Sequence, residues 1–150
     1  MRAVVLGGGL IGGVIAAELA KAFDVCVADA DEKKAEKFRD VEFIRMDLSK
    51  EESIKEAVRG ADVVVNALPG FMGFKALKTI IREGKDLVDL SFMPEDPLAL
   101  DAEARAAGVT AVVDMGVAPG MSNLIAGHFS AVIKGLKEIR ILASGQRVAL

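Results

Sequence analysis

Tyrosine and tryptophan are missing from these 150 residues, and cysteine and histidine occur once each. Without tyrosine, the tyrosine–lysine pair of short-chain dehydrogenases cannot be built. Cys26 alone cannot close an internal disulfide, which points to a reducing compartment. Cys26 and His128 do not make a zinc-ligand set, so no metal is expected. Cys26 stands between Val25 and Val27, the setting of a buried, inert thiol rather than a nucleophile. His128 lies beside Gly127 and Phe129 with no evident partner, so a packing or surface role is expected. No spacing suggests a Ser-His-Asp triad. Long hydrophobic runs are lacking too. Ala3–Leu6 is too short for a signal peptide or a membrane span, and Leu10–Ala20 is broken by Gly12, Gly13 and Glu18. A cytoplasmic protein without membrane association is the expectation. The 19 basic and 22 acidic residues leave a net charge of −3, so nucleic acid is not an expected partner.

What the chain does have is a regular alternation of short apolar runs and helical segments. Its length suits one domain, residues 1–150, with a true core. Strands are expected at Ala3–Leu6, Val25–Ala28, Val41–Met46, Ala61–Val65, Asp86–Leu90 and Val109–Val113, with a last one near Ile139–Ala143. The mixed third run suits a sheet edge, and the fully apolar fourth suits the centre. Helices are expected at Leu10–Ala22, from Asp31 to about Arg39, from the Ser49/Glu52 capping box to near Gly60, at Phe71–Arg82, at Pro97–Ala107 before Gly108, and at Asn123–Ile133. This alternation predicts an α/β fold, a doubly wound parallel sheet of the Rossmann type in three layers, α/β/α. Such sheets bind ligands at the carboxyl ends of their strands.

The motifs fall at those ends. Gly7-Gly8-Gly9-Leu10-Ile11-Gly12 follows the first strand and opens the first helix. In this G-x-G-x-x-G pattern Gly7 permits the tight turn, Gly9 lets backbone approach a pyrophosphate, and Gly12 lets the helix lie close on the strand. The helix N-terminus, beginning at Leu10 and Ile11, offers N–H groups and a positive dipole end. Asp29 and Ala30 end the second strand, about 20 residues after Gly9, where a carboxylate accepts hydrogen bonds from an adenosine ribose. It would repel a 2′-phosphate, and no arginine follows, which argues for NAD over NADP; Lys33 and Lys34 temper that argument. Asp47 and Leu48 follow the third strand near the expected adenine edge, although Asp47 could equally belong to the turn before Ser49. Asn66-Ala67-Leu68-Pro69 ends the central strand and leaves room for the nicotinamide-side ribose. Asp89-Leu90-Ser91 and the loop Gly116-Val117-Ala118-Pro119-Gly120 follow later strands, and Ser91, Val117 and Pro119 are further candidates at the same crevice. Ser122 or Asn123 can cap the helix after that loop. No catalytic acid or base can be named.

Taken in order, the glycine fingerprint, Asp29, Asp47-Leu48-Ser49, Asn66-Ala67-Leu68-Pro69, Asp89-Leu90-Ser91 and Gly116-Val117-Ala118-Pro119-Gly120 resemble the saccharopine dehydrogenase-like superfamily. The nearest resemblance is to its lysine 6-dehydrogenase branch. The resemblance runs to about Ile141 and implies NAD(P)-dependent chemistry at an amine-bearing carbon of an amino-acid or amine substrate. Saccharopine-forming relatives commonly carry an aspartate before the proline of the last loop. Ala118 stands there instead, which favours the lysine branch over a saccharopine substrate. Family members continue into a second domain that supplies substrate contacts and a homodimer interface. The last strand near residues 139–143 would lead into that domain, and a chain of this length is expected to have little turnover alone. A different reading is a stand-alone NAD(H)-sensing domain of a potassium transporter, which shares the glycines and the acidic residue.

Overall fold

The structure is a computed structural model that describes residues 1–39 and 41–142. The chain divides into two compact units, Met1–Val113 and Asp114 onward.

In the first unit, six strands form one parallel sheet in the order β3-β2-β1-β4-β5-β6. They are β1 (Arg2–Leu6), β2 (Asp24–Asp29), β3 (Glu42–Arg45), β4 (Val63–Asn66), β5 (Asp86–Asp89) and β6 (Ala111–Val112). The helices are α1 (Leu10–Leu19), α2 (Glu51–Val58), α3 (Gly70–Arg82) and α4 (Asp101–Ala107), with 3-10 turns at Glu32–Lys37 and Pro97–Leu100. This is a Rossmann fold, as the alternation predicts. The sheet order reverses direction between β1 and β4, and a crevice opens at such a switch.

Two apolar layers explain why the inner strands are apolar throughout. Along β1, Ala3 and Val5 join Val25, Val27 and Val65 under Ala16 of α1, with Phe38. Val4 and Leu6 point the other way, joining Cys26, Ala28 and Val64 under Ile54, Val58, Leu77, Ile80 and Ile81 of α2 and α3. Successive side chains alternate between faces, so a strand covered on both must be apolar at every position. β3 lies at the edge and accordingly keeps Glu42 and Arg45 exposed.

Local chemistry sets the element ends. Asp31 caps the first 3-10 turn by accepting the Lys33 N–H at 3.1 Å. Gly108 closes α4 at a φ of +66°, which a glycine adopts without strain. The Ser49/Glu52 capping box does not form. α2 begins at Glu51 after Lys50, and no side chain caps it. The Ser49 hydroxyl donates to Asp47 Oδ1 at 2.6 Å instead, because that carboxylate is two residues away and already closing the turn.

The second unit holds a turn, Gly116–Gly120, and α5 (Met121–Val132). α5 starts two residues earlier than expected, with Gly120 before it, and the Asn123 side chain reaches back to accept the Gly120 N–H at 3.1 Å. The expected last strand is absent over Ile139–Leu142. A strand needs a pairing partner, and no other strand occurs among the described residues of this unit; Ala143 lies outside those described. Ile125, Phe129, Leu136, Ile139 and Ile141 line an apolar cleft of about 260 Å³ there. No helix among the described residues is long and apolar enough to cross a membrane.

Candidate functional site

The chain leaves β1 through Gly7, whose φ of +98° is a left-handed conformation that side chains rarely tolerate. Its N–H donates to the Ala28 carbonyl at 2.9 Å, and the Ala67 N–H donates to the Leu6 carbonyl at 2.9 Å. The turn is therefore tied to both neighbouring strands. Gly12 lies so close beneath it that a Cβ would stand 1.9 Å from the Gly7 carbonyl oxygen. That contact seats the N-terminus of α1 directly on the strand end. Gly9 precedes α1, no side chain caps the helix, and a Cβ on Gly9 would meet nothing within 4 Å. The N–H groups of the first turn thus open onto free space at the positive end of the helix dipole. Leu10 and Ile11 flank the opening, 88% and 66% exposed. Phe38 supports the turn from below, and a Cβ on Gly8 would come within 3.1 Å of its ring.

Asp29 meets this turn through its side chain. Oδ2 accepts the Gly8 N–H at 2.7 Å and the Lys34 ammonium at 2.8 Å, and Oδ1 accepts the Asp31 N–H at 2.9 Å. Burial pushes the Asp29 carboxyl upward. Lys34 and the N–H groups of Asp31 and Gly8 together outweigh it and hold the group below its ordinary value. Asp29 is thus a carboxylate at neutral pH, next to the glycine turn. Ala30 is exposed beside it.

The other candidates divide. Asp47 is exposed and works within its own turn, bonded to Ser49 and to Lys50 at 3.3 Å. The Ser49 hydroxyl and N–H hold its carboxyl below the usual value. Leu48 is buried in the core beneath α2 and α3. At β4 and β5, Asn66 and Asp89 are register partners, so their side chains share one face and meet. The Asn66 amide donates to Asp89 Oδ2 and to the Gly73 carbonyl at 3.3 Å. Asp89 Oδ1 accepts both the N–H and the hydroxyl of Ser91 at 2.8 Å. Asn66, Asp89 and Ser91 are all buried. Ser91 thus turns inward, against α3, where a Cβ on Gly73 would stand 2.1 Å from its Oγ. Ala67 is half-buried, Leu68 buried and Pro69 exposed before α3. Val117 and Pro119 belong to the second unit, Val117 exposed and Pro119 half-buried.

Two participants escape a reading of residue types. The Gly8 N–H holds Asp29, but a backbone donor leaves no signature in sequence. Lys34 reaches Asp29 only because the 3-10 turn brings it back. No cluster of His, Cys, Asp and Glu suited to a metal occurs among the described residues. The geometry suits a dinucleotide. The Gly9 face is a cradle that a side chain would fill, the helix N-terminus is uncapped, and a carboxylate lies at the end of the adjacent strand.

Residues 3–112 match the family described as saccharopine dehydrogenase NADP binding domain. An alpha-aminoadipic semialdehyde synthase of Arabidopsis thaliana is 36% identical over 87 residues, covering 58% of this chain and 8% of that protein. A saccharopine dehydrogenase [NADP(+), L-glutamate-forming] of Pyricularia oryzae is 27% identical over 105 residues, covering 70% of this chain and 22% of that protein. Among solved structures, an apo saccharopine dehydrogenase (L-Glu forming) from Saccharomyces cerevisiae superposes with a TM-score of 0.77 at 24% identity, over 87% of this chain and 31% of that one. A scyllo-inositol dehydrogenase from Lactobacillus casei, solved with NAD(H), gives 0.64 at 15% identity, over 87% and 41%. The two structural likenesses speak for the fold. The chain spans under a quarter of each of the two sequence relatives.

Proposed function

We propose, because the chain belongs to the saccharopine dehydrogenase NADP-binding domain family and is thereby a pyridine-nucleotide-binding domain, that it forms the nucleotide half of an oxidoreductase acting on a CH–NH2 or CH–NH carbon of an amino acid. The observation that carries this reading is the Asp29 carboxylate tied to the N–H of Gly8, beside an open Gly9 face.

In this reading the N–H groups at Leu10, Ile11 and Gly12 bind the pyrophosphate, and Gly7 and Gly9 keep its approach clear. Asp29 and Ala30 receive the adenosine ribose. Asp47 and Leu48 border the adenine, Leu48 from within the core. Asn66, Ala67, Leu68 and Pro69 shape the nicotinamide side through backbone and contour, since the Asn66 amide is engaged with Asp89. Ser91 completes the assignment on this side through the shape of its turn, since its hydroxyl is engaged with Asp89. The bound nucleotide would supply a hydride acceptor for the carbon that bears nitrogen. NAD is the preferred cofactor, because Asp29 disfavours a 2′-phosphate. The lysine 6-dehydrogenase branch is the favoured substrate class, supported by Ala118 in the last loop. A saccharopine substrate is the second reading, supported by the description of the matching family and by the name of the Pyricularia oryzae relative. The family match also supports an oxidoreductase over a transporter sensor.

Calorimetric titration with NAD and NADP tests the cofactor. NAD is expected to bind more tightly, and Asp29→Ala to narrow the difference; a clear NADP preference would overturn the assignment. The substrate is tested by NADH formation with lysine, and separately with saccharopine, using the longest natural chain that contains these residues. Turnover of saccharopine alone would favour the second reading.

A further inference from the structure

The Asp29–Lys34 ion pair sits where the adenosine ribose would be read. A carboxylate offers about four acceptor positions, two on each oxygen. Oδ2 already takes the Gly8 N–H and the Lys34 ammonium, and Oδ1 takes the Asp31 N–H. One position is left, on Oδ1. A ribose diol that pairs with both oxygens must therefore displace Lys34. A ribose carrying a 2′-phosphate brings its own anion for the displaced ammonium. The two side chains are 29% and 12% exposed, so the pair is reachable from solvent yet sheltered enough for its charges to matter. The other cation in register with Asp29 is Arg45 on β3, and it is turned to Glu32 at 3.2 Å. Lys33 is exposed, and its N–H serves the Asp31 cap.

We infer that Lys34 is a second specificity determinant, one that opposes Asp29: it competes with the NAD ribose for the carboxylate and, once displaced, receives the 2′-phosphate of NADP, so that the chain accepts both cofactors with only a modest preference for NAD. The inference rests on the nucleotide-binding reading above. In the wild type, attraction by Lys34 and repulsion by Asp29 act on the same phosphate with opposite sign. Their effects on the NAD/NADP preference largely cancel, and so does the dependence of that preference on salt. Without Lys34 only the repulsion remains, and salt screens repulsion.

The test measures dissociation constants of the full chain for NAD and NADP at low and high salt, for wild type, Lys34→Ala and Lys34→Arg. Lys34→Ala is expected to bind NADP about tenfold more weakly and NAD a few-fold more tightly, a tenfold change being about 1.4 kcal/mol. Its preference for NAD should shrink as salt rises, whereas the wild-type preference should barely move. Lys34→Arg should restore NADP binding. If Lys34 merely holds Asp29 in place, Lys34→Ala will weaken both cofactors together, and the inference falls while the nucleotide site stands. An unchanged ratio in Lys34→Ala overturns it equally. If the wild type binds neither cofactor, the nucleotide-binding reading itself fails and takes this inference with it.

Discussion

At the ends of β1 and β2 the chain turns backbone outward; at the ends of β4 and β5 it turns side chains inward. On the first side, Gly9 faces empty space, α1 starts without a cap, and Leu10 and Ile11 stand in solvent. On the second, Asn66, Asp89 and Ser91 satisfy one another, and α3 packs on them through Gly70 and Gly73. Both sides lie on one edge of one sheet. The difference teaches that the two sides could serve a ligand by different means. The first side can offer hydrogen-bond donors and a dipole. The second can offer a rigid contour, because its polar groups are already engaged, and a buried polar network that is fully satisfied resists rearrangement.

The largest break in this comparison comes from putting valine at the two glycines of the open side in turn. Gly12→Val drives a Cβ into the Gly7 carbonyl, and neither backbone segment can yield without parting α1 from β1. A loss on the order of 4 kcal/mol is expected, a large share of the stability of an ordinary domain, read as a melting temperature lowered by well over ten degrees. Gly9→Val should leave the melting temperature within a few degrees, since nothing lies near the new side chain. It should weaken nucleotide binding about a hundredfold or more by blocking the helix N-terminus. Equal behaviour of the two variants in calorimetry would erase the distinction between a packing glycine and a binding glycine.

On the closed side, Asp89→Ala leaves the Asn66 amide and the Ser91 N–H buried without their shared acceptor. A destabilisation of about 3 kcal/mol is expected, read by chemical denaturation. Nucleotide affinity per folded molecule should change far less than in Gly9→Val. A large affinity loss with little loss of stability would mean that this side binds through its side chains after all.

The smallest expected effect is a pH limb. The folded-state value of Asp29 is lowered, so its contribution to stability is fully present above the ordinary carboxylate range. It is lost as pH falls from that range down through the folded value. Asp29→Asn should therefore differ from wild type at neutral pH and converge with it in acid. A difference that persists unchanged at low pH would show that the carboxylate charge is not what holds Gly8, Asp31 and Lys34.

Much of this was legible from residue types and spacing. A strand buried on both faces must be apolar, so β1, β2 and β4 announce themselves. The glycines of the first turn are set by contact and by a positive φ, and both constraints act on residue identity. The third-strand region read less clearly. Asp47 and Ser49 can serve a turn or a helix cap with the same atoms, and only the folded path decides that Ser49 bonds to Asp47.

The alternation of short apolar runs and helices was enough, by itself, to determine a doubly wound parallel sheet with a glycine turn and an acidic residue at its carboxyl edge. It could do so because periodicity, strand burial and turn geometry act on neighbouring residues. Only the tertiary structure decided how the polar groups at that edge are shared. Asn66 and Asp89 are 23 residues apart, and Gly8 and Asp29 are 21 apart. Each pair meets because parallel strands come into register, so the partner of each group depends on a pairing that no local pattern records.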